Sequence, residues 1–412
     1  MTGSKLHLII DGNFIFHKGL SVYYSPDEQN GKPKLTTEED QAFYARKVII
    51  DLCSAIRHFH SINMNSIIMT IDSRSWRKDI EIEENKGYKS NRVQKSTINW
   101  DGFYEVMKEV TQILTNNGFF ISRIKGAEGD DLMYLYSNEF IKRGEDTIIM
   151  TGDKDMWQTV TNEDKNFVSV YTNNGKYLKI ITTAELEKYM NQKNGHMDDM
   201  ILEAGGMDNV KNLSSMISSK VELVTVDPLR HAFNKIFPGD GGDGVPGIFQ
   251  WKTETKNGKT RTNTLTEKRV DKIWEYMNSK YNGKDLIFKL SNEVDFIYEV
   301  INTVSKGLLK KEGITKDKLK ERIERNIKLM YLDTAVIPDH IQLKFKDEFE
   351  KTINKSEHAI NRFNLNNFYI DYLIQDTKYD GKGDKRKVDY FKDDVEFDEN
   401  DFFFDENDKL SL

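Results

Sequence analysis

The sequence predicts an α/β protein: a mostly parallel sheet flanked by helices, followed by a helical C-terminal region. Three observations carry that expectation. Short β-branched runs alternate with helical patterns between residues 6 and 171, acidic residues follow those runs, and after Phe237 the alternation gives way to helices and polar loops. Strands that alternate with helices are joined by crossovers, which makes neighbouring strands run the same way and covers the sheet on its faces.

The elements follow in order. "LHLII" from Leu6, "SIIMTI" from Ser66, "FFISRI" from Phe119, "TIIM" from Thr147 and "FVSVY" from Phe167 are short, apolar and rich in β-branched residues, and each reads as a strand. Helical periodicity predicts helices at about 37–60, 100–117 and 129–142. The single cysteine, Cys53, lies in "KVIIDLCSAIRHF" and reads as an ordinary core residue, so a disulfide framework and a cysteine zinc cluster are both excluded. Beyond Phe237 come "KTETKNGKTRTN", a Lys/Thr-rich insertion, and the helical stretch "KDKLKERIERNIKLMYL". No internal repeat is present.

At 412 residues, with 38% hydrophobic and 31% charged residues, the chain suits one large or two medium globular domains. No apolar run is long enough to span a bilayer, and "MTGSKLHLIIDGN" lacks the features of a signal peptide, so a cytoplasmic location without membrane contact is expected. The net charge of −7 is unevenly spread. Residues 389–408 hold ten acids against Lys392, a charge of −9 that leaves +2 for the rest. The body is thus near neutral with basic clusters, and 388–412 reads as a disordered acidic tail.

In "GAEGDDLMYLYSNEF", Glu128, Asp130 and Asp131 stand side by side before an apolar helical run. Alone, they suit a helix N-terminus, where acids meet the positive end of the dipole. They are not alone, however: Asp11 follows the first strand, Asp72 ends the second, and Asp153 and Asp155 in "TGDKD" follow the fourth. The carboxyl ends of parallel strands share one crevice, so these acids converge. An all-oxygen cluster suits magnesium, and two such ions about 4 Å apart clamp the attacking and leaving oxygens of a phosphodiester.

Two further motifs are ambiguous on their own. "DSRSWRKDIEIEENKGYKSNR" reads as a solvated charged helix, and "GDGGDGVPGIFQWK" as a glycine-rich turn that offers N–H groups to an anion or merely reverses the chain.

Taken together, "IIDGNFIF", "TIDSRSWRK", "GAEGDDLMYL", "TGDKDMWQ" and "FPGDGGDGVPG" resemble, in order and spacing, the 5′ nuclease family of flap endonucleases and 5′→3′ exonucleases, over about residues 6–250. "LMYLDTAVIPDHI" further resembles the phage ribonuclease H branch of that family, which removes RNA primers. The resemblance implies a PIN-like nuclease core at 1–235 with an arch at about 73–100, and a helical region at 236–387 that binds duplex through a helix-turn-helix type of element. It implies one Mg2+ site at Asp11, Asp72, Glu128, Asp130 and Asp131 and a second at Asp153, Asp155, Asp240 and Asp243, with Mn2+ able to substitute. In the arch, Lys89 and Arg92 are expected at the scissile phosphate, and Tyr88 is expected to stack on a base. The family's potassium site is not expected, because Phe249 and Gln250 replace its usual glycine and lysine; Lys252, Lys256, Lys259 and Arg261 of the insertion are expected to contact phosphates instead.

The implied activity is Mg2+-dependent hydrolysis at 5′ ends of DNA, flaps or RNA–DNA primers during phage replication, by a monomer. Phe402, Phe403 and Phe404 within the acidic tail suit a recognition peptide for a single-strand-binding protein or sliding clamp, against two rival readings: a DNA mimic that rests on the chain's own basic surface, and a solubilising tail. Competing readings fare less well. An aspartyl phosphotransferase needs an acid where Asn13 stands, and a Toprim domain explains Asp153 and Asp155 but not Asp72 or the glycine-rich turn. A DNA-binding relative that has lost catalysis conflicts with the filled acidic positions, and a PIN-type ribonuclease acting on RNA stands as the other alternative.

Overall fold

Every residue of β1 (Leu6–Asp11) is buried, as a strand covered on both faces must be. In this computed structural model, which describes residues 5–23, 35–57, 64–83, 86–92, 98–163, 166–173, 178–183, 221–254, 260–305 and 307–356, that strand lies inside the sheet, with a strand paired on either side. It leads into α1 (Gly12–Tyr23), α2 (Glu38–Arg57) and β2 (Met64–Thr70). A 3-10 turn at Trp76–Asp79 and a hairpin of β3 (Glu81–Glu83) and β4 (Lys86–Gly87) follow, then α3 (Trp100–Asn116), β5 (Phe120–Ser122), α4 (Gly129–Lys142) and β6 (Asp146–Met150). After a second 3-10 turn at Lys154–Thr159 come β7 (Thr161–Glu163), β8 (Asn166–Asn173), β9 (Leu178–Thr182) and β10 (Val221–Thr225).

The strand order is β10-β9-β8-β6-β1-β2-β5, with β7 paired to β8. β1 runs parallel to β2 and β6, β2 to β5 and β6 to β8, whereas β8 meets β9 antiparallel. The expected α/β class with a mostly parallel sheet, that of a PIN-like core, is therefore what the chain forms. Alternation along β1 sends Leu6, Leu8 and Ile10 into a cluster with Tyr44, Leu52 and Phe103 of α2 and α3. Ile9 goes to the other face, among Leu132, Tyr136 and Phe140 of α4. β9 and β10 extend the sheet beyond the strands the sequence predicts, and β5 is shorter than the expected run.

Past the sheet come α5 (Pro228–Ile236), the two-residue strands β11 (Gly239–Asp240) and β12 (Val245–Pro246), and a hairpin of β13 (Gln250–Glu254) and β14 (Thr260–Thr264). The Lys/Thr-rich insertion is thus partly strand. Then follow α6 (Glu267–Lys280), α7 (Asp285–Phe288), α8 (Val294–Ser305), α9 (Leu308–Lys311), α10 (Lys316–Met330) and α11 (Asp339–Ser356). Phe233 and Ile236 of α5 share a core with Ile273, Ile301 and Ile323, so the expected boundary at 235/236 falls inside a helix that packs with the C-terminal region. α11 returns to the sheet, where Phe345 and Phe349 meet Tyr136 and Phe140. Lys256, Lys259 and the 388–412 tail lie outside the described residues. No helix among the described residues is long and apolar enough to cross a membrane.

The glycine-rich turn between β11 and β12 is held from below. Gly239 takes φ +74°, and a Cβ there would stand 2.4 Å from the Val245 carbonyl oxygen, so the crossing requires glycine. Fully buried Asn326 of α10 donates to the carbonyls of Ile236 at 2.9 Å and Pro246 at 3.0 Å. Its neighbour Arg325 donates to Pro246 at 3.3 Å and to Ile82 at 3.2 Å, tying the turn to β3. Asn326→Ala leaves the buried Ile236 carbonyl without this donor and the Pro246 carbonyl with Arg325 alone, and is expected to cost about 1–3 kcal/mol. Urea denaturation of the variant should show a lower midpoint; an unchanged midpoint would show that the turn is held by other means.

Candidate active site

A cleft of about 680 Å³ opens at the carboxyl ends of β1, β2 and β6 and is lined by Asp11, Asp72, Glu128, Asp130, Asp153, Asp155, Asp240 and Asp243, together with Lys89, Arg92 and Lys235. The acids arrive from different elements, as expected of strand ends that share one crevice. Asp11 ends β1, where its carboxylate accepts from the Phe14 N–H at 2.9 Å and the Thr151 hydroxyl at 2.6 Å. Asp72 follows β2 and is fixed by Asn13, whose side chain donates to it at 2.9 Å and accepts from its N–H at 3.1 Å. The Gly129 N–H, at the start of α4, donates to the same carboxylate at 2.5 Å. Asn13 thus staples the ends of β1 and β2, a role its sequence position does not announce.

Burial, and then crowding, controls the charge of this group. Burial, with repulsion from Asp72 and Asp153, pushes Asp11 up to about 7 despite its two hydrogen bonds. Burial and Glu128 push Asp72 up to about 6. Asp130 is raised well above the usual carboxylate range by burial and by Asp153, Asp11 and Asp72, and it accepts no hydrogen bond from a described residue. Glu128 goes the other way. Burial disfavours its charge, but Lys89 and Arg77 outweigh that and hold its carboxyl low.

Asp131 does not line the cleft. It is fully buried and takes a bidentate pair from Arg77, at 3.0 and 2.8 Å, and a third bond from the Trp76 indole at 3.1 Å. It also accepts from the Glu128 N–H at 3.1 Å, closing a capping box at the start of α4. Its place in the expected metal set is therefore corrected: its oxygens are committed to the scaffold. Arg77 also donates to Glu128 at 3.2 Å and to the Leu329 carbonyl at 3.1 Å, which joins the cleft wall to α10. Sequence reasoning missed Arg77 because "RSWRK" reads as one cationic run.

The turn at 88–91 brings the expected arch residues to the same cleft. Lys89, in the left-handed region at φ +59°, is ion-paired with Glu128, and Arg92 with Asp243. Tyr88 is buried among Ile82, Val245, Leu329 and Met330, and its hydroxyl donates to Asp243 at 2.9 Å. Its ring face is covered by that packing, which corrects the expectation that it stacks on a base. Backbone bonds fasten this turn to the glycine-rich turn: the Lys89 N–H donates to the Asp243 carbonyl at 2.8 Å, and the Asn91 side chain to that of Gly241 at 2.9 Å.

The remaining acids surround a cation. Lys235 of α5 stands 2.7 Å from Asp155 and 3.0 Å from Asp240. Its hydrogen bond, with those of Gly242 and Asp243, keeps Asp240 low against burial, whereas burial and Asp153 leave Asp155 raised despite it. Lys252 and Arg261 lie on the exposed β13–β14 hairpin rather than in the cleft. Among the described residues no three acidic, histidine or cysteine side chains are already drawn into one coordination shell. The donor chemistry nevertheless fits a hard divalent cation: every candidate ligand is a carboxylate, and the raised Asp11, Asp72 and Asp130 register an unmet demand for positive charge.

That demand has a sign in stability. A carboxylate whose folded pKa lies above its unfolded value binds more protons when folded, so stability falls as pH rises from about 4 toward 7. In metal-free buffer at pH 8, Asp11→Asn should therefore stabilise the protein, on the order of 2–4 kcal/mol, and flatten the decline across that window. Thermal melts of parent and variant from pH 4 to 8 check this, and parallel curves would contradict it.

Residues 6–191 match the family of 5′-3′ exonuclease N-terminal, resolvase-like domains. A 5′-3′ exonuclease of Buchnera aphidicola subsp. Acyrthosiphon pisum (strain APS) is 26% identical over 246 residues, which span 55% of this chain and 78% of that protein. Among solved structures, the T5 D15 protein co-crystallised with metal ions aligns with a TM-score of 0.47 at 14% identity, over 84% of this chain and 99% of that one. The bacteriophage T5 D15 flap endonuclease, in a pseudo-enzyme-product complex with DNA and metal ions, aligns with a TM-score of 0.46 at 15% identity, over 85% and 100%. With its acidic motifs gathered in one strand-end cleft, the stretch at residues 6–191 is similar to 5′-3′ exonuclease N-terminal, resolvase-like domains.

Proposed function

We propose that the protein is a Mg2+-dependent 5′→3′ exonuclease and flap endonuclease that hydrolyses phosphodiester bonds at 5′ ends of DNA or RNA–DNA primers, with ribonuclease H-like primer removal in phage replication. The observation that supports this best is the meeting of strand-end carboxylates with Lys89 and Arg92 in one cleft. Asp11, Asp72 and Asp130, with Glu128, would hold one ion; Asp153, Asp155, Asp240 and Asp243 would hold the second. Such ions polarise a phosphoryl oxygen and ease deprotonation of an attacking water.

The chain's own groups supply the rest. Lys89 and Arg92 hold carboxylates in the absence of substrate, and a phosphate entering the cleft offers them a competing anion, with Arg92 able to bond two oxygens at once. Charge that grows on the phosphate during in-line attack is met by these preplaced donors. Exposed Lys252 and Arg261 suit contacts to duplex phosphates farther along the strand. The acidic tail is proposed to engage a replication partner.

Asp153→Asn and Asp155→Asn each remove a charged ligand at nearly constant volume. Cleavage of a 5′-labelled flap should fall about 10²-fold or more in single-turnover assays, with the circular dichroism spectrum unchanged. A near-parental rate in either variant would remove the metal assignment.

Holding and chemistry should separate. Lys89→Ala and Arg92→Ala should lower kcat by about 10²-fold, as loss of donors to a reacting phosphate does. Lys252→Ala combined with Arg261→Ala should instead weaken duplex affinity and reduce the slope of log Kd against log salt by about two. Titrations and turnover measured on the same flap compare them, and identical phenotypes would argue against the division.

A further inference from the structure

Lys235 lines the cleft, and the proposed chemistry leaves it without a role. It sits in the last turn of α5, with its ammonium between two carboxylates of different origin: Asp155, from the 3-10 turn after β6, at 2.7 Å, and Asp240, from the glycine-rich turn, at 3.0 Å. All three side chains are 27% exposed, so the ion pairs are open to exchange with solvent cations. Three of the other acids differ. Among the described residues Asp11, Asp72 and Asp130 make no ion pair, and their charge is opposed by burial and by the surrounding carboxylates, Glu128 and Asp153 among them.

Resting on the two-ion reading above, we propose that Lys235 is an internal placeholder cation: its ammonium occupies the Asp155–Asp240 position until a divalent ion displaces it, so the two metal positions fill in order. A divalent ion held by Asp11, Asp72 and Asp130 breaks no ion pair of those three acids, and only its contact with Glu128 competes with Lys89 and Arg77. One entering between Asp155 and Asp240 must first break two ion pairs, and its affinity is lowered by that cost. Lysine suits the exchange. Its ammonium is a point charge on a flexible four-carbon stem, with no planar geometry to lock it in place. The placeholder also holds the glycine-rich turn against the sheet before any ion arrives, because Asp155 and Asp240 would otherwise repel across that junction.

The test is a Mn2+ titration of the DNA-free protein by calorimetry and electron paramagnetic resonance. The parent should show one tight and one weak class of ion. In Lys235→Met and Lys235→Ala the weak class should tighten on the order of tenfold while the tight class stays put, since a unit positive charge a few ångström away is worth at least that factor. Lys235→Arg, which keeps the charge, should stay within a few-fold of the parent. Without metal, Lys235→Met should melt below the parent and gain more from saturating Mn2+. If Lys235→Met does not fold, Lys235→Gln carries the same measurement with two N–H donors and no charge. A weak class unchanged in the uncharged variants overturns the placeholder alone. A parent that binds no Mn2+ overturns the two-ion reading and this inference with it.

Discussion

Carboxylates gathered at the ends of parallel strands repel one another, and the region around the cleft is arranged about that repulsion. Two unit charges about 4 Å apart interact by roughly 4 kcal/mol at the effective dielectric of a protein surface, so a group of eight cannot be assembled by packing alone. The chain meets this in two ways. Some acids keep a proton to unusually high pH, as Asp11 and Asp72 do. Others are given a cation from a distant element: Glu128 by Arg77 and Lys89, Asp243 by Arg92, Asp155 and Asp240 by Lys235.

Those cations form a gradient of exposure that sorts permanent from exchangeable partners. The Arg77 and Asp131 side chains are 3% and 0% exposed, and breaking such a pair by removing one partner costs about 3–5 kcal/mol. It belongs to the wall, which it ties to α10 through the Leu329 carbonyl. Arg92 is 46% exposed and paired with a carboxylate at the rim. A pair so placed is worth little in stability and is easily traded for another anion or cation. Structure at the back of the cleft and chemistry at the front thus use the same residue types and differ in access to water.

Much of this was legible in the sequence because strand order and strand ends are local signals. A β-branched run followed by an acid gives both the strand and the end from which its carboxylate projects, and that was enough to bring Asp11, Asp72, Asp130 and Asp153 together. What was not legible depended on side-chain direction. Asp130 and Asp131 are neighbours on one helix turn, yet one faces the cleft and the other faces Arg77, and nothing in "GDD" distinguishes them. Tyr88 reads as a stacking residue because its hydrophobic seat is built by Val245, Leu329 and Met330, all remote in sequence. The β13–β14 hairpin was hidden by its alternation of threonine with charged residues, exposed on both faces; the Asn257-Gly258 pair in the sequence was its available signal.

The bonds between the 88–91 turn and the glycine-rich turn bear on how such chains can recombine. Lys89 keeps a left-handed backbone while its N–H holds the Asp243 carbonyl, Asn91 reaches Gly241, and Arg325 grips both β3 and Pro246 from α10. Three stretches widely separated in sequence are therefore tied into a single unit. Because the acceptors are main-chain carbonyls, a chimaera with a foreign 86–92 segment would keep these bonds only if that segment retained the left-handed turn at 89 and the asparagine at 91, so the backbone paths of the three segments constrain one another more than their side chains do.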